Sequence, residues 1–123
     1  VLWAARDKKS KHHYDYPEMR TRNGDKQMKN VWRMTAPPKR EKLHGKHPTQ
    51  KPLALLERIL AASAPEGATV LDPFNGSGTT ALAAIEHGLN YIGIDLNDEY
   101  LDLTVRRLKD QVPEWGDDLA ATA

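Results

Sequence analysis

Apolar residues are sparse and aperiodic over residues 6–51 and regularly spaced after Pro52. Leu53, Leu56, Ile59 and Leu60 recur at helical spacing behind a proline suited to a first helical turn, and "SAPEG" (63–67) ends that helix. "ATVLD" (68–72) is a short apolar run that reads as a buried parallel strand. Ala81, Leu82, Ala84 and Ile85 predict a compact helix over 79–87, stopped by Gly88 as a carboxyl-terminal cap. "YIGID" (91–95) predicts a second strand, and Asn97 or Asp98 can cap a following helix whose buried face carries Leu101, Val105 and Leu108. Strand, helix and strand make one right-handed βαβ unit with adjacent parallel strands. The fold class is therefore α/β, with a ligand expected at the carboxyl ends of the strands, against the helix amino terminus.

The first part of the chain reads differently. Val1-Leu2-Trp3-Ala4-Ala5 resembles the end of a strand whose earlier context is missing. Residues 6–51 are polar and broken by Gly24, Gly45 and Pro37-Pro38, so loops or short helices are expected without assignable positions. Three regions follow: 1–46, a strand end plus an irregular basic segment; 47–112, the βαβ region with its flanking helices; and 113–123, a small acidic tail expected to be disordered.

Charge sharpens this division. The net of +1 hides 14 Lys/Arg against 5 Asp/Glu in residues 1–52, a net of +9, and 4 against 12 in residues 53–123, a net of −8. The basic half suits a polyanion partner, or a solvated basic loop. The 123 residues are enough for one small domain, and the absence of cysteine excludes disulfides and cysteine-zinc sites. No run approaches the roughly 18 apolar residues of a membrane span, and no signal segment opens the chain, so a soluble cytoplasmic protein is expected.

The candidate chemistry lies in "LDPFNGSGTT" (71–80). A triphosphate-binding loop needs a lysine beside the Ser/Thr, and "GSGTT" has none. Gly76, Gly78 and Ala81 do fit the dinucleotide pattern G-x-G-x-x-A, with Asp95 placed to accept bonds from a ribose. S-adenosylmethionine also presents an adenosine ribose, so Asp95 does not discriminate between the two. Asp72, just before the glycines, does: a carboxylate there suits a ligand with a cationic amino group and repels a pyrophosphate.

"HPTQKP" (47–52), "DPFNGSGTT" (72–80) and "YIGIDLNDEY" (91–100), in this order and spacing, resemble the beta-class DNA amino-methyltransferases. The resemblance covers residues 47–100; residues 1–46 match that family in position and character only. It implies a Rossmann-like fold, S-adenosylmethionine as cofactor, and methylation of adenine N6 or cytosine N4 in double-stranded DNA, usually within restriction-modification systems. Thr49, Gln50, Lys51 and Pro52 fall on the motif flanking the methionine end of the cofactor. Asp72, Phe74, Gly76 and Gly78 fall on the glycine turn, and Thr79 and Thr80 on hydroxyls near the cofactor carboxylate. Asp95 falls on the ribose acid, with Leu96 beside the adenine.

The family's catalytic motif, an Asp, Asn or Ser followed by Pro-Pro and an aromatic, is not in this sequence. The one Pro-Pro lies in "TAPPKR" (35–40), where Ala36 cannot accept from an amine and Lys39 cannot stack. The resemblance thus implies the carboxyl-terminal part of an enzyme, completed by an upstream segment or a partner chain and inactive alone. The basic segment then corresponds to a target-recognition region. Lys8, Lys9 and Lys11 suit phosphates, whereas Arg20, Arg22, Asn23, Gln27 and Asn30 are types that read base edges. His12-His13 and His44 with His47 have no further ligands at a metal-binding spacing, so no metal is expected. The resemblance is nearer to adenine-N6 than to cytosine-N4 members. An NAD-dependent oxidoreductase fragment and a non-enzymatic DNA-binding remnant are the alternatives.

Overall fold

A computed structural model describes residues 1–2 and 4–113. Its elements are α1 (Tyr16–Thr21), a short 3-10 helix (Lys39–Lys42), α2 (Leu53–Ser63), β1 (Thr69–Asp72), α3 (Thr79–Glu86), β2 (Asn90–Gly93) and α4 (Asp98–Gln111). The βαβ unit forms as the spacing predicts. β1 and β2 pair in parallel, from Thr69 opposite Asn90 to Asp72 opposite Gly93.

Strand side chains alternate between faces. Val70 and Tyr91 point to one face and pack on Leu60, Ala83, Ala84 and Leu89, the core between the sheet and helices α2 and α3. The alanines of α3 let it lie close to the sheet on one side and to α4 on the other, where Ala81 and Leu82 meet Leu108. The expectation of a buried strand over 68–72 is corrected here. Leu71 and Ile92 point the other way and are 61% and 52% exposed, because no described element covers that face.

The helix ends follow their sequence signals. Asn97 caps α4, its side chain accepting from the Glu99 N–H at 2.9 Å. α3 ends at His87, and Gly88 follows with a left-handed φ of 64°. Pro52 precedes α2 without a side-chain cap of its own. Glu41 supplies one from the 3-10 helix, its Oε2 accepting the Leu53 N–H at 3.1 Å.

The basic segment is docked rather than free. Asp15 caps α1 by accepting the Glu18 N–H at 2.9 Å, and Met19, 1% exposed, packs with Met28 against Ala61 and Ala62 of α2. Of the run at 1–5 expected to end a strand, the described residues Val1, Leu2, Ala4 and Ala5 are without secondary structure, and Val1 and Leu2 are 89% and 98% exposed. A strand exists only by pairing its backbone, and among the described residues β1 and β2 bond to each other alone. The tail beyond Pro113 lies outside the described residues. Among the described residues, no helix is long and apolar enough to cross a membrane.

Candidate functional site

Residues 72–80 carry the chain from the end of β1 to the start of α3. Gly76 and Gly78 take left-handed φ values of 53° and 70°, which side-chain-bearing residues adopt at a cost. The turn is bound to the end of the neighbouring strand. The Asn75 N–H donates to the Ile94 carbonyl at 2.9 Å, and the Gly76 N–H donates to Asp95 Oδ2 at 2.6 Å. Asp95 Oδ1 accepts the Asn97 N–H at 3.0 Å. Burial alone raises the Asp95 pKa, but N–H donors from Gly76, Asn97 and Leu96, with His47 nearby, outweigh it and hold the carboxyl below its ordinary range.

At the other end of the turn, Asp72 Oδ1 accepts the Phe74 N–H at 3.0 Å and Oδ2 accepts the Thr80 hydroxyl at 2.6 Å. Gly78 precedes α3 and offers no side-chain cap, so the first-turn N–H groups of that helix keep their positive end unmasked. Phe74 and Leu96 are 87% and 104% exposed beside this acid-lined turn. The result is a carboxylate at each strand end, an uncapped helix amino terminus between them, and exposed apolar side chains at the rim.

The 47–52 segment reaches the turn through a residue outside the predicted set. His47 sets its ring edge-on to Tyr100, with centroids 4.3 Å apart, and a Cβ placed on Gly76 would lie 3.1 Å from its Nε2. Its Nδ1 accepts the Thr49 N–H at 3.3 Å, and Lys51 Nζ donates to the Thr49 carbonyl at 2.8 Å. Gln50 Nε2 donates to the Glu41 carbonyl at 2.7 Å, leaving Gln50 Oε1 buried without a partner among the described residues. Pro52 lies at the start of α2.

Behind the turn lies a buried polar network that sequence reasoning missed. Asn75 donates from Nδ2 to the Thr104 hydroxyl at 2.8 Å, and its Oδ1 accepts the Tyr91 hydroxyl at 2.7 Å. Burial, then Asp72 and Asp95, push the Tyr91 pKa well above its ordinary value, so it remains a donor. Arg107, 6% exposed, donates to the Ser77 carbonyl and, at 3.2 Å, to the Thr79 hydroxyl. Thr79 is therefore turned inward and 5% exposed, whereas Thr80 is bonded to Asp72. Asn75 and Arg107 could have been suspected from a polar residue in the turn and a cation on the apolar side of α4.

The basic segment separates into two groups. Lys8, Lys9 and Lys11 are exposed, as are Gln27 and Asn30. Arg20, Arg22 and Asn23 are partly engaged within the segment. Arg20 Nε donates to the Asp25 carbonyl at 3.1 Å, Arg22 pairs with Glu18 at 2.7 Å, and Asn23 Nδ2 donates to the Lys26 and Gln27 carbonyls. Trp32 packs under Arg58 of α2, 5.2 Å from its ring centroid to the guanidinium carbon.

Known proteins resemble this chain in sequence and fold. The chain is 52% identical over 110 residues to the Type II methyltransferase M2.DpnII of Streptococcus pneumoniae, covering 89% of this chain and 41% of that protein. It is 46% identical over 113 residues to the Type II methyltransferase M2.MboI of Moraxella bovis, covering 92% and 41%. The crystal structure of the M1.HpyAVI–SAM complex superposes with a TM-score of 0.64 at 37% identity, over 82% of this chain and 46% of that one. The chain thus spans about two fifths of the length of the curated relatives it matches. The N6_N4_Mtase family, described as DNA methylase, matches residues 1–106. That match sets aside the oxidoreductase reading of the glycine turn: the chain belongs to the N6_N4_Mtase family of DNA methylases.

Proposed function

We propose that this chain is the cofactor-binding and target-recognition part of an S-adenosylmethionine-dependent DNA methyltransferase, acting on adenine N6 within a restriction-modification system. The observation that carries the reading is the 2.6 Å bond from the Gly76 N–H to Asp95, which joins the ends of two adjacent parallel strands into one ligand-facing edge. The residues fit the cofactor. Asp72 offers a carboxylate to its ammonium group, and the uncapped start of α3, with Thr80 beside it, suits its carboxylate. Both Asp95 oxygens already accept backbone N–H groups and keep lone-pair capacity for a ribose hydroxyl. Phe74 and Leu96 offer apolar surface to the purine, and the Thr49–Pro52 segment, held down by His47, flanks the methionine end.

When bound, S-adenosylmethionine supplies an electrophilic methyl on its sulfonium. The chain's own residues hold that group at the strand ends. Lys8, Lys9 and Lys11 draw in the DNA backbone, and the docked segment around α1 presents Gln27 and Asn30 to the duplex. The side chains that orient the target amine belong to a Pro-Pro-aromatic motif, which this sequence does not contain. A segment preceding the matched region in the relatives, or a partner chain, would supply them. Double-stranded DNA is thus the macromolecular partner, and the cytoplasm the place of action.

The test is a chimera in which this chain replaces the matching portion of the Streptococcus pneumoniae relative. It should transfer labelled methyl groups from S-adenosylmethionine to adenine N6 in duplex DNA, whereas the 123-residue chain alone should transfer none. N4-methylcytosine as the sole product overturns the adenine assignment. Binding of NAD in preference to S-adenosylhomocysteine overturns the cofactor assignment.

A further inference from the structure

Arg107 is a buried cation with no carboxylate paired to it among the described residues. Burial lowers its pKa, and Glu41, whose Oε2 accepts the Leu53 N–H at 3.1 Å, partly offsets that effect without forming an ion pair with it. The guanidinium instead donates to the Ser77 carbonyl and the Thr79 hydroxyl, the residues flanking the start of α3. This position is electrostatically adverse. The amino terminus of a helix carries partial positive charge, and a cation beside it is repelled. Desolvating an unpaired guanidinium adds a further cost. A neutral side chain could hold the same hydrogen bonds without either penalty.

The surrounding contacts keep that charge in place. Gly78 packs so tightly on α4 that a Cβ there would lie 2.4 Å from the Thr104 side chain. Asn75 is held between Thr104 and the Tyr91 hydroxyl. A Cβ on Gly93 would lie 2.7 Å from Asn75 Oδ1, so this side of the turn is closed as well. The cation is therefore fixed behind the turn, one residue layer from the uncapped helix start on its open side.

We propose that Arg107 is a positioning residue that shapes the glycine turn from behind and supplies fixed positive charge to it, so that the turn selects ligands bearing a carboxylate. An anion at the front of the turn adds to the partial offset that Glu41 supplies. Low-dielectric surroundings preserve the effect across one residue layer. The proposal rests on the S-adenosylmethionine reading and specifies which part of that molecule α4 helps to recognise.

The experiment compares S-adenosylmethionine with its decarboxylated form, which differs by that one group, in calorimetric titrations of the chimera that carries this chain. The unsubstituted chimera should favour the carboxylate-bearing ligand. Arg107→Gln, which keeps hydrogen-bond donors but not the charge, should shrink that preference by roughly three- to thirty-fold. Arg107→Lys should retain most of it. Equal loss of both ligands in Arg107→Gln, with an unchanged preference ratio, assigns Arg107 to the fold alone and overturns the proposal. Equal affinity for the two ligands in the unsubstituted chimera overturns it without any variant, which covers a Gln variant that fails to melt cooperatively. Failure of the unsubstituted chimera to bind either adenosyl ligand overturns the cofactor reading itself, a result distinct from the other two.

Discussion

Both oxygens of Asp95 accept backbone N–H groups, from Gly76 at 2.6 Å and Asn97 at 3.0 Å, so one carboxylate shapes the turn and faces the proposed ribose. Asp95→Asn replaces one acceptor oxygen by a donor and removes the charge. In the chimera, cofactor affinity should fall about ten- to a hundred-fold while affinity for DNA changes little. Calorimetry with each ligand checks both halves. The depressed pKa also sets a pH dependence. A group held below its ordinary value contributes stability that is present above that value, here 3.8, and lost as pH falls below it. Melting temperature should therefore decline more steeply in acid for the unsubstituted chain than for Asp95→Asn.

Among elements, α4 bears directly on the turn and α2 on α3. Gly78→Ala would force a left-handed φ of 70° on a residue with a Cβ and press that atom against Thr104. The expected loss is roughly 1–2 kcal/mol for the backbone and about 1–3 kcal/mol for the overpacking. Thr104→Ala in the same chain should recover only part of the second contribution, measurable by urea unfolding. Between α2 and α3, Glu86 stays exposed at its outer side, and partial desolvation, then a hydrogen bond and like charge from Glu57, raise its pKa from 4.5 to about 7, with Gln111 opposing. A raised pKa contributes stability that is full below 4.5 and disappears as pH rises through about 7. Glu57→Gln should flatten that decline, and a pH series of thermal melts reads it directly.

At the scale of the molecule, charge is segregated: a basic segment is docked through Met19 and Met28 onto an acidic α/β unit. The three exposed lysines at 8, 9 and 11 are placed to neutralise phosphates without reading bases. Each neutralised phosphate adds about −0.9 to the logarithmic salt slope of DNA binding. Replacing all three by Gln in the chimera should flatten the slope by up to about three such increments while leaving the methylated sequence unchanged. A salt titration and base-resolved sequencing test the two outcomes. The half-covered sheet belongs to this scale too, since Leu71, Ile92 and Ile94 present an apolar face that no described element of the chain buries.

Local patterns determined the βαβ unit. Apolar spacing placed α2, α3 and α4 within a residue or two, Asn97 and Gly88 marked helix ends, and "DPFNGSG" identified the turn, because caps, periods and glycine turns act over a few neighbouring residues. Tertiary structure decided what lies behind and around that turn. Arg107 bonds a carbonyl 30 positions away, Asn75 meets Thr104 29 positions on, and Glu41 caps a helix that starts 12 residues later. His47 becomes a turn residue only because its loop folds onto Gly76, and Thr79 faces inward because a cation waits there. The strand expected at the start of the chain shows the same limit: its apolar run is legible, but the pairing that makes a strand depends on a neighbour in space. Local sequence sets local geometry, whereas a buried charge or polar side chain acquires its role from partners that only the folded chain brings near.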